Sequence, residues 1–180
     1  MPPRTRRRPT PPFRLTPLTE SCPVKTFTCG TRSGAAEINE YFRTRAIAEQ
    51  SSGLSSVTVA INPTAVHDAE VIVGFFTLSP LSIPLSAAVL DAVGMTGVPY
   101  RSVGGYLLGR LGVAKRYQGN NYGAALVASA IKMARRAQQD TGGVFLAVDA
   151  KNDALVRWYT KLEFGFVRLE RGRSRLVMRL

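Results

Sequence analysis

The stretch from Leu111 to Ala124 holds the residues best suited to chemistry. An apolar run ends in the glycine-containing turn Gln118-Gly119-Asn120-Asn121-Tyr122-Gly123, and that turn opens onto a helical pattern. The first main-chain N–H groups of a helix have no partner inside it, and the aligned peptide dipoles add partial positive charge there. Together they form a site for a diphosphate. Gly119 and Gly123 would let the main chain approach such a ligand with no Cβ in the way, and Lys115 and Arg116 stand just upstream to steer an anion. The glycine spacing is neither that of a Walker A loop nor that of the dinucleotide-binding fingerprint. A strand-to-helix connection that binds nothing would satisfy the same spacing, so the turn alone leaves that alternative open. No metal is expected: His67 and the two cysteines, Cys22 and Cys29, cannot supply a four-ligand zinc site. The cysteines read as reduced thiols of a cytoplasmic protein.

The elements that must position this turn follow from periodicity. Gly105–Ala114 reads as a buried central strand, Gly123–Gln139 as a helix stopped by Gly142-Gly143, and Val144–Val148 as a second buried strand. A short helix over 152–161 and strands over 164–169 and 175–180 complete the second half. That alternation implies a mixed α/β sheet. Upstream, three- and four-residue spacing from Ala36 to Ile47 predicts one helix ending near Gly53. Strands are predicted over 54–61 and 70–78, joined by a turn at Asn62-Pro63. Residues 79–104, with Pro80, Pro84, Pro99 and several glycines, read as a long functional connection carrying a short helix over 85–93. The first twelve residues are rich in proline and arginine with nothing to bury and read as a disordered basic leader before one folded domain, 13–180. No apolar run approaches the length of a membrane span, so no membrane partner is expected.

Charge narrows the partner. The chain of 180 residues carries 24 Lys and Arg against 12 Asp and Glu, a net charge of +12. Neutralising a polyanion's phosphates releases counterions, so this surplus favours nucleic acid or another phosphate-rich ligand, unless it serves only solubility.

The turn resembles the Gln/Arg-x-x-Gly-x-Gly/Ala motif of GNAT acetyltransferases and is preceded, as in that family, by a Leu-x-Val strand, Leu111-Gly112-Val113. It departs at Asn121, where the motif has glycine; asparagine tolerates left-handed backbone better than other non-glycine residues. The segment from Asn152 through Tyr159 to Phe166 resembles the family's Asn-x-x-Ala-x-x-x-Tyr-x-x-x-Gly-Phe, with one extra residue before Phe164-Gly165-Phe166. The resemblance implies the GNAT fold, an α/β (α+β) architecture whose mixed central sheet has two splayed parallel strands flanked by helices. It implies acetyl-CoA as acetyl donor, contacted by Leu111, Gly112, Val113, Arg116, Gln118, Gly119, Asn120, Asn121, Tyr122, Gly123, Ala124 and Asn152. An N–H near Val113 would face the thioester carbonyl, and Tyr159 would protonate the departing thiolate.

Further upstream, Leu15-Thr-Pro-Leu-Thr19, Phe27-Thr-Cys-Gly30, Ile38-Asn-Glu-Tyr-Phe42, Ala46 with Gln50, and Val73-Gly-Phe-Phe-Thr-Leu78 are similar to TacT-like GNAT toxins of toxin–antitoxin operons. That likeness implies acetylation of the α-amino group of aminoacyl-tRNA and neutralisation by a ribbon-helix-helix antitoxin; a homodimer is left open. Arg110, Lys132, Arg135, Arg136, Arg171 and Arg173 are the candidates for holding tRNA. Two rival readings remain: a GNAT acting on a small-molecule or protein amine, and a basic nucleic-acid-binding module whose fold no longer binds CoA.

Overall fold

The computed structural model describes residues 12–32, 34–63, 71–169 and 174–180. Residues 1–11 of the leader, and with them most of that expectation, lie outside the described residues, as do Arg171 and Arg173. The strands are β1 (Arg14–Pro17), β2 (Ser56–Asn62), β3 (Val71–Pro84), β4 (Ser102–Val113), β5 (Phe145–Asp149), β6 (Val167–Arg168) and β7 (Arg175–Arg179). The helices are α1 (Ala35–Thr44), α2 (Ala46–Ser51), α3 (Ala87–Val93), α4 (Tyr122–Thr141) and α5 (Asp153–Lys161), with 3-10 turns at Val24–Thr26 and Lys115–Tyr117. The seven strands form one sheet in the order β1-β2-β3-β4-β5-β7-β6. All pairings are antiparallel except that of β4 with β5.

Because side chains alternate across a strand, each strand feeds two cores. Leu146 and Val148 of β5 and Leu176 and Met178 of β7 join Leu126, Val127 and Ala130 of α4 and Val156 and Tyr159 of α5 on one face. Their neighbours Phe145, Ala147 and Val177 pack on the other face against Val89 and Val93 of α3. Val57, Val59 and Phe75 face that same side and meet Tyr41 and Phe42 of α1 and Ala46 of α2. The result is a three-layer stack, with α4 and α5 on one face and α1, α2 and α3 on the other. Burying each such large apolar side chain contributes about 1.5–3 kcal/mol. Phe42 and Phe75 stack with centroids 4.0 Å apart, and Phe27 meets Phe75 edge-on at 5.4 Å.

Three sequence expectations change. The long connection over 79–104 is largely sheet: β3 continues to Pro84 and pairs with β4 as far as Pro84↔Ser102. The prolines that argued for a loop are tolerated because β2 ends opposite Leu78, which leaves the rest of β3 an edge that needs no N–H on that side. The single helix ending near Gly53 is two, α1 and α2, broken at Arg45 (φ −119°). The strand over 164–169 shrinks to Val167–Arg168.

Candidate active site

β4 is the strand that makes the site. Its first half pairs with β5 at Tyr106↔Leu146, Leu107↔Ala147 and Leu108↔Val148, and there the pairing stops. Beyond Leu108 the β4–β3 register slips, so that Gly109 and Arg110 together oppose Thr77. This bulge bends the strand away from β5. Thr77, nearly fully buried, steadies it by accepting a hydrogen bond at Oγ1 from the Arg110 N–H (2.9 Å). The ladder bond from Ala114 N–H to the Val73 carbonyl fixes the alternation of β4. Leu111 and Val113 therefore point their amide and carbonyl groups away from β3, toward the gap. A cavity of about 600 Å³ fills that gap.

At one end of the cavity lies the α4 turn. Asn121 caps α4 with φ 61° and ψ 8°, the left-handed conformation the motif glycine would supply, so the substitution leaves the turn intact. Its side chain makes no capping bond. Ala125 is the first residue to close a helical bond, onto the Asn121 carbonyl, and the amides of Tyr122, Gly123 and Ala124 carry no hydrogen bond among the described residues. Gly119 is needed for its positive φ of 81°. At Gly123 a Cβ would stand 3.1 Å from the Trp158 ring, tighter than ordinary contact, so the small residue lets the indole pack close to the helix. That packing is a different reason from the open approach expected of it.

Gln118 ties the turn down. Its Nε2 donates to the carbonyls of Val113 (3.0 Å) and Cys29 (2.8 Å), and its own N–H is spent on Lys115, which makes it a positioning residue. Asn120 donates back to the Gln118 carbonyl. Arg116 lies over the Tyr117 ring, 5.2 Å from its centroid, outside the cavity. Tyr122 is buried against Tyr117 and Phe13.

From the other side α5 brings Tyr159. It is 8% exposed, wedged edge-on between Trp158 (4.8 Å) and Phe166 (5.6 Å). It borders the cavity, and its hydroxyl has no hydrogen-bond partner among the described residues. Burial pushes that hydroxyl well above the ordinary phenol range, so it holds its proton. Asn152 lines the same cavity, but its Oδ1 accepts the Leu155 N–H (2.9 Å) as the cap of α5. Counted from Asn152, the motif glycine falls on Glu163, whose φ of 58° gives the left-handed residue that follows many helices. Phe164 then follows directly, and the extra residue inferred from sequence disappears.

The sequence profile of the acetyltransferase (GNAT) family matches residues 35–166. The chain belongs to the GNAT acetyltransferases. It is thus an acetyl-CoA-dependent N-acetyltransferase, and the parted β4 and β5 are the splayed pair of that fold. Solved structures share the architecture. AtaT complexed with acetyl-methionyl-tRNAfMet superposes with a TM-score of 0.76 at 20% identity, over 93% of this chain and 95% of that one. AtaTR bound with acetyl-CoA gives 0.75 at 21%, over 93% of each. The KacTA–DNA complex gives 0.72 at 19%, over 93% of each.

The remaining groups of this GNAT cavity are charged. Its two carboxylates are engaged: Asp149 takes a bidentate pair from Arg175 (2.7 Å to each oxygen), and Glu37 of α1 pairs with Lys151 from the β5–α5 loop. The Lys151 ammonium holds the Glu37 carboxyl below its usual range. Arg110 lines the cavity on the α1 side with its guanidinium 5.1 Å over the Tyr41 ring. Lys132, Arg135 and Arg136 are exposed on α4, across the sheet from Arg110, so the structure does not bring the expected basic residues together. Cys29 also borders the cavity; burial pushes its thiol up to about 11 against the lowering effects of a main-chain hydrogen bond from Val113 and the charge of Arg43. Glu37, Lys151, Arg32 and Cys29 escaped sequence reasoning. They lie on three separate loops and helix ends, and no local pattern links them. No helix among the described residues is long and apolar enough to cross a membrane.

Proposed function

We propose that this acetyltransferase modifies the α-amino group of aminoacyl-tRNA and so blocks translation, as the toxin of a toxin–antitoxin pair. The observation that carries the reading is the β4–β5 cavity, which has free helix amides at one end, a protonated tyrosine hydroxyl in its wall and Arg110 at its α1 side. A net charge of +12 suits a tRNA acceptor. AtaT, of the same fold, has been solved with acetyl-methionyl-tRNAfMet, and an AtaT variant with acetyl-CoA and the C-terminus of its antitoxin AtaR. By that likeness a small antitoxin, of ribbon-helix-helix type, is the expected protein partner.

Acetyl-CoA brings an activated acetyl thioester. The amides of Tyr122, Gly123 and Ala124 would hold its diphosphate, with no Cβ from Gly119 in their way. The N–H of Leu111 faces the gap where oxyanion charge would develop during acyl transfer, whereas that of Val113 already meets the Cys29 thiol. The neutral amine would form the new N–C bond and release its surplus proton to solvent, while the Tyr159 hydroxyl would protonate the sulfur as the C–S bond breaks and be restored from solvent. No carboxylate need act as base, because an α-amino group has a pKa of about 7.7–8.0 and is partly neutral already. Both cavity carboxylates are tied up by cations, in keeping with that.

The test is acetyl transfer from labelled acetyl-CoA to charged tRNA, uncharged tRNA and free amines. Label on charged tRNA alone is expected. Equal labelling of small amines would install the small-molecule reading, and transfer to none would leave a nucleic-acid-binding module.

A further inference from the structure

A second cavity, of about 530 Å³, adjoins the first and shares Cys29, Arg32 and Gln118 with it. Its lining reaches from the loop before α1, which contributes Arg32, to the α4 turn, which Lys115 precedes. Among the described residues its lining has no acidic side chain, whereas the main cavity balances its cations with Glu37 and Asp149. The Lys115 stem lies along Gly30, with Cδ 3.5 Å from where a Cβ would stand, and the side chain lines the pocket. Neither Arg32 nor Lys115 has an ion-pair partner among the described residues, while Lys151, Arg175 and Arg45 are all paired. Gly119, the first residue of the turn beyond Gln118, closes the pocket on the side of the free α4 amides.

We propose that Arg32 and Lys115 form a second phosphate subsite, which receives the 3′-phosphate on the ribose of acetyl-CoA. The inference rests on the donor's diphosphate lying at the α4 amides. From there its third phosphate is one ribose away, and the adjoining pocket begins at Gly119. Two cations lining one pocket, neither with an ion-pair partner among the described residues, suit a phosphomonoester dianion, whose oxygens can accept from both at once. A backbone phosphate of the acceptor RNA offers similar chemistry, and the experiment separates the two sources.

Equilibrium binding of CoA and of 3′-dephospho-CoA is measured by calorimetry at low salt on the full chain and on Arg32→Gln, Lys115→Gln and the double variant. Both side chains are exposed, so the variants should keep the wild-type melting temperature. The full chain should prefer CoA by about tenfold, a preference that shrinks with added salt and vanishes in the double variant, while dephospho-CoA binds all four proteins alike. Equal affinity of the full chain for both coenzymes would overturn the subsite and leave the diphosphate turn standing. Binding of neither would remove both. A double variant that keeps its CoA preference but loses affinity for uncharged tRNA would overturn the assignment in favour of the RNA phosphate.

Discussion

The two halves of β4 behave differently. From Ser102 to Leu108 the strand lies within the sheet, paired to β3 and, from Tyr106, to β5; from Gly109 to Val113 it keeps β3 and has parted from β5. The paired half is packed so closely that a Cβ at Gly105 would stand 2.5 Å from the Phe145 carbonyl. In the parted half the main-chain groups of Leu111 face a cavity, while those of Val113 meet the Cys29 thiol and the Gln118 amide. Only a two-residue bulge held by Thr77 separates a stretch that confers stability from one that offers hydrogen bonds to a ligand. A sheet can thus build an active site by withholding pairing, without adding a loop.

The sharpest way to test that contrast is Tyr159→Phe in the parted region. Its hydroxyl supports no protein hydrogen bond, so acetyl transfer should fall by about 10²–10³-fold with a melting temperature within a degree or two of wild type. Transfer kinetics and thermal melts read the two quantities separately, and a comparable loss of both would make Tyr159 a packing residue. Next come paired glycine substitutions. Gly105→Ala pushes against main chain and ring in the closed half and should cost about 2–3 kcal/mol in urea unfolding. Gly109→Ala meets nothing closer than the Thr77 hydroxyl at 3.2 Å, and should cost less than half of that. Equal costs would erase the difference between the halves.

Alkaline pH gives a smaller effect from the cavity wall. The Cys29 thiol is held up to about 11 in the fold against 9.0 in the unfolded chain. Below pH 9 both states keep the proton and the contribution is whole. Between pH 9 and 11 the unfolded chain releases it first, so stability should decline by about 2 kcal/mol. Cys29→Ala should remove that part of the slope in melts taken across the window. The smallest effect concerns the turn: Asn121→Gly should leave acetyl-CoA affinity and stability within about 0.5 kcal/mol of wild type, whereas Asn121→Ala, forced to φ 61°, should cost about 1 kcal/mol.

Much of this was legible in the chain because it is local. The Leu111-Gly112-Val113 strand, the turn at 118–123, the α4 pattern and Tyr159 on α5 all follow from spacing within one element, and the structure places each as expected. Helix ends are local too, since Asn152 caps α5 through its own Leu155 amide. Where local signals misled, a neighbour overrode them. Pro80 and Pro84 sit in a strand because β2 ends before reaching them. Gly123 answers to Trp158, which is 35 positions away in sequence.

By itself the sequence determined the family, the glycine-containing turn before α4, the place of Tyr159 on α5 and the basic character of the chain, since each depends on residue type and short spacing. Tertiary structure alone decided where β4 parts from β5, that Glu37 and Asp149 are neutralised by Lys151 and Arg175, and that Arg32 and Lys115 face one pocket while Lys132, Arg135 and Arg136 lie across the sheet. Those relations join residues from distant elements, and only packing of the layers sets the distances over which charges and hydrogen bonds act.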